Sequence, residues 1–477
     1  MIAPVLLIGL ILRLVSLDQS LWLDEGINAT FARSLSYSKL IFSYPLGDFH
    51  PPLYHVILKS FISLFGSSEI SLRIPSVILG VMTVFITYLI GKKLYDKKTG
   101  VIAALLIATG PLHIYYSQEA RMYMLAAFLA SLSVYFFVSL LIKDRLLLWV
   151  GFILSTALML YSDYLPYILL PVYVLFLIVS RKKFAKNTLK SFIPAFLLIL
   201  LLIVPWLLML PQQLKVGLSA SAASPAWSGV VGSSSIKDLG LAFVKFAIGR
   251  ISNDNNLSYA LLFLPIGLYF SFLFLISTLR LTRIRSFLWF YLLLPPVVAF
   301  LISFFVPVFS YFRMLFILPA FYILLAAGIN NINWSLPTRT FLSLALIINL
   351  TSTFIYFANP KFQREDWKNA TKYVTANSDS KTLVLFESNF SMPPFDYYNN
   401  GAVEARGALE SFDPTQGNVV QNITSYTQNK NKVFLFQYLS PITDPQGFAF
   451  QSLIDLHFIN TKTDNFQGVG FVYEFVK

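Results

Sequence analysis

Cysteine is absent from the 477 residues, so disulfide and thiolate chemistry are excluded and the redox compartment leaves no trace in the chain. Charge is scarce as well. Only 12% of residues are Asp, Glu, Lys or Arg, whereas a soluble domain carries about a quarter. So few charges cannot solvate a globule of this length, which excludes an ordinary water-soluble fold. Acids are the scarcer sign, 23 against 36 Lys and Arg, for a net charge of +13. In a soluble chain that excess would point to nucleic acid. Here the basic residues fall mainly in short loops between apolar runs, and orientation in a bilayer explains them. No internal repeat or long low-complexity tract occurs.

Hydrophobic residues make up 56% of the chain and aromatics 16%, with 45 Phe and 25 Tyr, as membrane cores and interfacial belts favour. The first apolar run, from Ile2 to Val15, has no cationic leader and no small-residue cleavage site before Trp22. It reads as a retained first helix.

Apolar runs of spanning length, roughly 17–25 residues, recur as far as Phe357. Leu53–Phe65 is a special case. If it crossed, the basic loops Gly91–Thr99 and Arg181–Lys190 would both fall outside. It is short, opens with Pro51–Pro52 and carries Lys59 in its middle, so it is expected to lie on the outer surface or re-enter the membrane. With that choice Gly91–Thr99, Lys143–Arg145, Arg181–Lys190 and Arg280–Arg285 are all cytoplasmic. The expected spans are 2–15, 74–90, 100–116, 121–142, 146–162, 165–180, 191–210, 257–279, 286–306, 311–329 and 339–357, about eleven crossings.

The predicted fold is therefore a polytopic α-helical membrane protein of the cell membrane, with its N-terminus cytoplasmic. Residues 1–357 form the transmembrane domain. It has an external first loop over 16–73 with interfacial helices, and a flexible external loop over 211–256 rich in Ser, Ala and Gly. Residues 358–477 form a small external α/β domain. Its strands are expected at Thr382–Glu387, Lys432–Tyr438 and Val469–Phe475, and a helix over Arg364–Ala376.

Candidate chemistry begins at Leu21-Trp22-Leu23-Asp24-Glu25-Gly26, which puts adjacent carboxylates just past the first span. A carboxylate near lipid is desolvated, its pKa rises and it becomes a better base. Asp24 and Glu25 read equally as solvated loop acids or helix N-terminal charges. In Asp48-Phe49-His50-Pro51-Pro52, two prolines fix the chain direction. His50 could bind a metal with Asp24 or Glu25, contact a phosphate when protonated, or only punctuate a helix start. Glu119 and Arg121 join two spans with almost no loop. Ionisable residues at that depth tend to be functional, although these two could simply neutralise each other. Asp163 sits at an outer turn. Arg313, at a span end, can fork to phosphate oxygens or snorkel to ordinary lipid phosphates. Lys245 and Arg250 are further candidates of that kind. All these groups gather at the outer surface, not at mid-bilayer, where transporters place their sites.

With these residues in order, the chain resembles the glycosyltransferase C superfamily, in the branch of protein O-mannosyltransferases and the aminoarabinose transferases that modify lipid A. The resemblance runs the length of the chain. It is carried by Trp22-Leu23-Asp24-Glu25, Asp48-Phe49-His50-Pro51-Pro52-Leu53-Tyr54, and Phe65-Gly66 to Leu72-Arg73-Ile74-Pro75. Gln118-Glu119-Ala120-Arg121-Met122-Tyr123, Tyr311-Phe312-Arg313 with Pro319, and Arg364-Glu365-Asp366-Trp367 continue it.

The resemblance implies an inverting glycosyltransferase moving a hexose or pentose from a polyprenyl-phosphate donor to a protein, lipid or polysaccharide hydroxyl. It implies Asp24 as base, Glu25 as its orienting neighbour, Glu119 as the superfamily's second acid, and Arg121 and Arg313 facing the leaving phosphate. His50, Tyr123, Asp163, Lys245 and Arg250 complete the expected donor site. A divalent metal at Glu25 and His50 is left open. His50 stands where mannosyltransferases carry His-Pro-Pro; aminoarabinose transferases have a Glu-Lys pair there, so Phe49–His50 departs from them. Arg364–Trp367 is expected to be structural. A lipid or polymer translocator, and a glycan ligase using a lipid-diphosphate donor, are the competing readings.

Overall fold

Long runs of Leu, Ile, Phe and Ala without charge fold as helices, because lipid offers no partner for an unpaired backbone group. The computed structural model describes residues 2–183, 186–223, 232, 235–332, 335–409 and 416–477. Much of the Ser/Ala/Gly-rich part of the expected flexible loop, 224–231 and 233–234, lies outside the described residues, as do 184–185 in the loop Arg181–Lys190.

Among the described residues, seven helices are long and apolar enough to cross a membrane: Glu69–Leu94, Tyr123–Leu140, Leu189–Leu207, Asn256–Arg280, Arg283–Ile302, Tyr311–Asn331 and Thr338–Ala358. Lys97–Ala108 and Pro111–Ser117, bent by 61° at their break, make an eighth if they form one span. The count of about eleven is not confirmed. The expected spans 2–15, 146–162 and 165–180 form helices below the roughly 17–25 residues a crossing needs. Leu53–Phe65 belongs to the same short class.

The bent pair shows how a broken helix is satisfied. Pro111 has no N–H to give and opens the second helix. The carbonyls of Ile107 and Ala108, at the end of the first helix, accept from the buried Arg13 guanidinium at 3.4 and 3.0 Å. Gly80 lets this corner close: a Cβ there would meet the Ser117 hydroxyl oxygen at 2.3 Å.

The C-terminal part carries a five-stranded sheet in the order β2-β1-β3-β5-β4. Its strands are β1 Thr382–Ser388, β2 Ala405–Leu409, β3 Lys432–Phe436, β4 Ile459–Phe466 and β5 Gly470–Val476. β1 pairs in parallel with β2 and β3, and β5 lies antiparallel to β3 and β4. The three expected strands are β1, β3 and β5, and the expected helix is Trp367–Ala376. One face of the sheet, with Val384, Phe386, Phe434 and Phe436, packs on Trp367, Val374 and Phe395. The other, with Leu383, Leu385, Val433 and Leu435, packs on Ile423 and Leu453. The chain runs from β1 to β2 on one side and then crosses from β2 to β3 on the other side of β1, so the carboxyl ends of β1 and β3 form a switch point. Leu23, with Trp22 and Ile27 beside it, is part of the core on that side. The C-terminal sheet domain thus sits directly on the segment that holds Asp24.

Candidate active site

Asp24 lies in the first turn of the helix Leu23–Ser34, where a carboxylate is favoured by the exposed N–H groups. Trp22 precedes it in extended conformation and offers no side-chain cap. The next residue, Glu25, is wholly buried. Its two oxygens accept from Arg73 at 2.9 and 2.6 Å, and one also accepts from the Ala120 N–H at 2.8 Å. Burial pushes this carboxyl up, but the Arg73 pair and the Ala120 bond outweigh it and hold it below its ordinary value. Arg73 spends its remaining donors on the carbonyls of Leu17, Gln19 and Ser20. Glu25 therefore faces protein, and its role is to fix the loop that carries Asp24.

Asp24 differs in kind. Its side chain is 23% exposed, and its ion pair is a single contact to Arg121 at 3.3 Å. Glu119 does not pair with Arg121. Its Oε2 accepts from Arg364 at 2.7 Å, and its Oε1 has no partner among the described residues. Burial raises the Glu119 carboxyl and the nearby Glu25 charge adds to that, so Arg364 offsets only part of the rise. Arg364 also lies over the Tyr115 ring at 3.9 Å and donates to the Tyr115 hydroxyl.

Arg250 reaches the same tyrosine, 4.7 Å from the ring centroid and donating to its hydroxyl. Lys245 donates to the Ile251 carbonyl at 2.5 Å and stands 6.0 Å from the Tyr311 ring. Burial, with Arg250 nearby, brings the Lys245 amine down to about 8. Arg313 lies 6.0 Å from the Phe312 ring. None of Lys245, Arg250 and Arg313 pairs with a carboxylate among the described residues. Rings connect these cations to Asp24. Arg121 is 5.8 Å from the Tyr123 ring, Tyr123 is 5.5 Å from Phe312 and 5.4 Å from Tyr116, and Tyr116 is 5.0 Å from Tyr115.

Asp48 closes the short helix Pro45–Asp48, and His50 lies between it and the helix Leu53–Phe65. Phe49 between them holds a left-handed φ of 61°, a strained setting that turns both side chains inward. Asp48 accepts from Tyr44 at 3.0 Å and lies 3.3 Å from His50 and 3.5 Å from His55. Burial would raise this carboxyl; the His50 bond and the charges of His50, His55 and Arg121 bring it down to about 2. His55 is driven down to about 4, chiefly by burial. Asp163 accepts from the Tyr164 N–H at 2.6 Å and forms no ion pair among the described residues. Tyr164 in turn bonds Gln213, whose amide donates to the Pro45 carbonyl at 2.5 Å, so Asp163 braces the Asp48 turn at one remove.

The metal reading of Glu25 and His50 is not supported. Glu25 is saturated by Arg73 and Ala120, His50 engages Asp48, and no group of three possible ligands gathers among the described residues. The structure thus brings Asp24, Arg121, Tyr123, Glu119, Arg250, Lys245 and Arg313 onto one connected face. Glu25, Asp163 and the Asp48–His50 pair stand behind it. Sequence reasoning did not anticipate Arg73 or His55 here, nor Glu365. Glu365 accepts from the Trp367 indole at 2.7 Å and from the Tyr438 hydroxyl at 3.0 Å. Arg364, expected to be structural, holds Glu119. A charged tetrapeptide opening an otherwise ordinary domain was the signal for both.

No curated protein matches the chain in sequence. A family model described as dolichyl-phosphate-mannose-protein mannosyltransferase matches residues 49–209. Among solved structures, ArnT from Cupriavidus metallidurans in the apo state aligns with a TM-score of 0.59 at 11% identity, covering 99% of this chain and 97% of that one. The same protein bound to undecaprenyl phosphate aligns with a TM-score of 0.59 at 12% identity and the same coverage. The archaeal oligosaccharyltransferase AglB from Archaeoglobus fulgidus, in complex with an inhibitory peptide and a dolichol-phosphate, aligns with a TM-score of 0.57 at 13% identity, covering 99% of this chain and 74% of that one. The fold expected from the glycosyltransferase C resemblance is the fold found: this chain has the architecture of ArnT and AglB, and its segment from Phe49 to Met209 matches the dolichyl-phosphate-mannose-protein mannosyltransferase family.

Proposed function

We propose that the protein is a membrane glycosyltransferase that moves a sugar from a polyprenyl-phosphate donor to an acceptor hydroxyl with inversion. The reading rests on one observation. Asp24 is the open carboxylate of the site, and rings connect it to three cations that no carboxylate among the described residues pairs with.

Asp24 takes the proton from the acceptor hydroxyl as that oxygen bonds to the anomeric carbon. The bond from that carbon to the phosphate oxygen breaks, and polyprenyl phosphate leaves with the electron pair. A phosphate monoester anion needs no proton to depart if cations meet its growing charge. Arg121, Arg250, Lys245 and Arg313 are placed for that, with Tyr123 lining the approach and His50 and Asp163 holding the donor side. Glu25 orients Asp24, and Glu119 holds Arg364 and the 118–122 turn. The ArnT and AglB structures, which hold undecaprenyl phosphate and a dolichol-phosphate, support the donor class.

Sidedness belongs to the same proposal. The helix Glu69–Leu94 carries Arg73 at its site end and Lys92 and Lys93 at the other. Its 26 residues span about 39 Å, so the basic turn and the site lie on opposite faces. With the basic turn cytoplasmic, the site and the C-terminal domain, residues 358–477, face outward.

The test is Asp24→Asn in a strain lacking the gene, read by mass spectrometry of glycans and lipids. Loss of a general base lowers transfer by roughly 100- to 10,000-fold while the unfolding temperature stays put. Transfer at the wild-type level would sink the assignment. A second reading is a glycan ligase with a lipid-diphosphate donor; the likeness to an oligosaccharyltransferase supports the ligase part of it. The lipid that co-purifies with the protein separates the two.

A further inference from the structure

Two basic stretches, Arg181-Lys182-Lys183 and Arg280 to Arg285, border apolar helices, and neither contains an acid. Arg181 follows the helix Leu169–Ser180, and Arg283 opens the helix Arg283–Ile302, which packs against it. The last carbonyls of a helix have no helical partner. Here that of Val179 accepts from Arg283, which also donates from Nε to the Ser180 hydroxyl at 2.9 Å. Two nitrogens of Arg283 are thus held by protein, and its Nη1 has no protein partner among the described residues. Arg285, two residues on, donates to the Leu94 carbonyl at 2.8 Å and lies 4.5 Å from the Tyr95 ring. The joined helix ends therefore lie beside Lys92 and Lys93, on the face opposite Asp24.

An open groove runs where these two helices meet, lined by Ile178, Val179, Arg181, Lys182 and Arg283. We infer that it holds an anionic phospholipid of the adjoining leaflet, with the headgroup phosphate against Arg181, Lys182 and Arg283 and the acyl chains along Ile178 and Val179. With the sidedness proposed above, that leaflet is the cytoplasmic one. The site shares no residue with the Asp24 face, so it stands whether or not the chain transfers a sugar.

Three observations point to a lipid. The groove is lined by three cations and no acid. Arg181 and Lys182 are exposed, and their side chains make no ion pair or hydrogen bond among the described residues. Other cations on this face are committed: Lys93 donates to the Ser139 hydroxyl at 2.6 Å, Arg285 to Leu94, and Lys143 and Arg145 flank Asp144. The guanidinium of Arg283 is already fixed by Ser180 and Val179, so it meets a phosphate with little further loss of side-chain freedom. Ile178 and Val179, 57% and 49% exposed, give the groove an apolar wall that an acyl chain covers and a free phosphate does not. Basic pockets between helices on the cytoplasmic side suit anionic headgroups.

The test needs no sugar donor. Native mass spectrometry of the full-length protein, released from mild detergent, counts bound lipid as palmitoyl-oleoyl phosphatidylglycerol or the matching phosphatidylcholine is added. Phosphatidylglycerol is retained and phosphatidylcholine is not. Arg181→Gln with Lys182→Gln changes two exposed side chains and leaves the unfolding temperature in place. It lowers the phosphatidylglycerol affinity roughly 30-fold, at about fivefold per cation. Lys97→Gln with Lys98→Gln, exposed on the same face but outside the groove, leaves that affinity unchanged. Equal retention of the two lipids overturns the inference, as does an affinity that the groove variant leaves unmoved. An equal loss in both double variants shows diffuse attraction to the basic face and overturns it too. Inorganic phosphate that displaces phosphatidylglycerol at comparable concentration shows a site for a free anion, and the lipid assignment falls.

Discussion

Replacing Arg364 by Met keeps most of the side-chain volume and removes every donor. In the native protein the guanidinium donates to Glu119 at 2.7 Å, to the Tyr115 hydroxyl, and to the carbonyls of Tyr115 and Gln118 at 3.3 and 3.4 Å. Without it Glu119 is a buried carboxylate with no ion-pair partner among the described residues; the Glu25 charge repels it and only the Arg250 charge still favours it. Removing one side of a buried pair costs about 3–5 kcal/mol. Glu119 can escape by taking a proton, and burial has already raised its pKa. A carboxyl whose folded pKa lies above its unfolded value contributes stability below the unfolded pKa and loses it as pH rises through the folded one. Arg364→Met raises that folded pKa further, so the variant's deficit is largest near neutral pH and shrinks as the solution is acidified. Adding Glu119→Gln removes the stranded charge and recovers most of the loss. The assay is equilibrium unfolding in mixed micelles across pH, with tryptophan fluorescence as the probe. A deficit under about 1 kcal/mol at every pH, or strictly additive single and double variants, would falsify the pairing.

Two further outcomes follow from contacts around the site. In Gly26→Ala the new Cβ would stand 2.7 Å from the Pro394 N and 2.8 Å from its Cα, and neither backbone atom can swing away. The expected cost is about 1–3 kcal/mol, with faster proteolysis of the C-terminal domain; unchanged stability and cleavage would mean that the two parts do not meet there. Asp48, held down to about 2, contributes stability above its unfolded pKa of 3.8 that disappears as pH falls through the folded value. That contribution is about 2 kcal/mol, and Asp48→Asn flattens the acid limb of the stability curve; a variant that keeps the full limb shows that other carboxylates carry it.

The helices were legible because an uncharged apolar run has few alternatives. Strands β1 and β3 were legible because they are buried almost throughout and rich in Leu, Val and Phe. β2, five residues with Arg and Gly in its middle, and β4, Ile-Asn-Thr-Lys-Thr-Asp-Asn-Phe, were missed. β4 is an edge strand with few buried residues, so its pairing with β5 leaves no apolar pattern to read. The candidate charges were legible for a similar reason: an acid or arginine in such apolar company stands out. Their partners were not. Glu119 and Arg121, two apart, suggest mutual neutralisation, yet Glu119 pairs across 245 residues with Arg364 and Arg121 with Asp24. Arg73, inside an apolar helix, gave no hint that its guanidinium would gather three carbonyls and a carboxylate.

These pairings bear on why one carboxylate among several is free to act as a base. A site at the membrane surface that handles an anionic lipid needs cations, and cations attract carboxylates that would quench them. Here the quenching is divided. Arg73 is matched by Glu25 and Arg364 by Glu119, each pair buried, with both arginines and Glu25 also tied to backbone. Those pairs hold three segments together: the 17–25 loop, the 118–122 turn and the start of the C-terminal domain. Lys245, Arg250 and Arg313 form no ion pair with an acid among the described residues. Asp24 keeps an open face because its cation, Arg121, meets it at one point, 3.3 Å away. Of the acids that hold the frame, Glu25 is made a poor base by Arg73 and the Ala120 N–H, and Glu119 is buried with its Oε2 turned to Arg364. The proposed base is accordingly the carboxylate the frame holds most loosely, and of the acidic pair in the first loop that is Asp24.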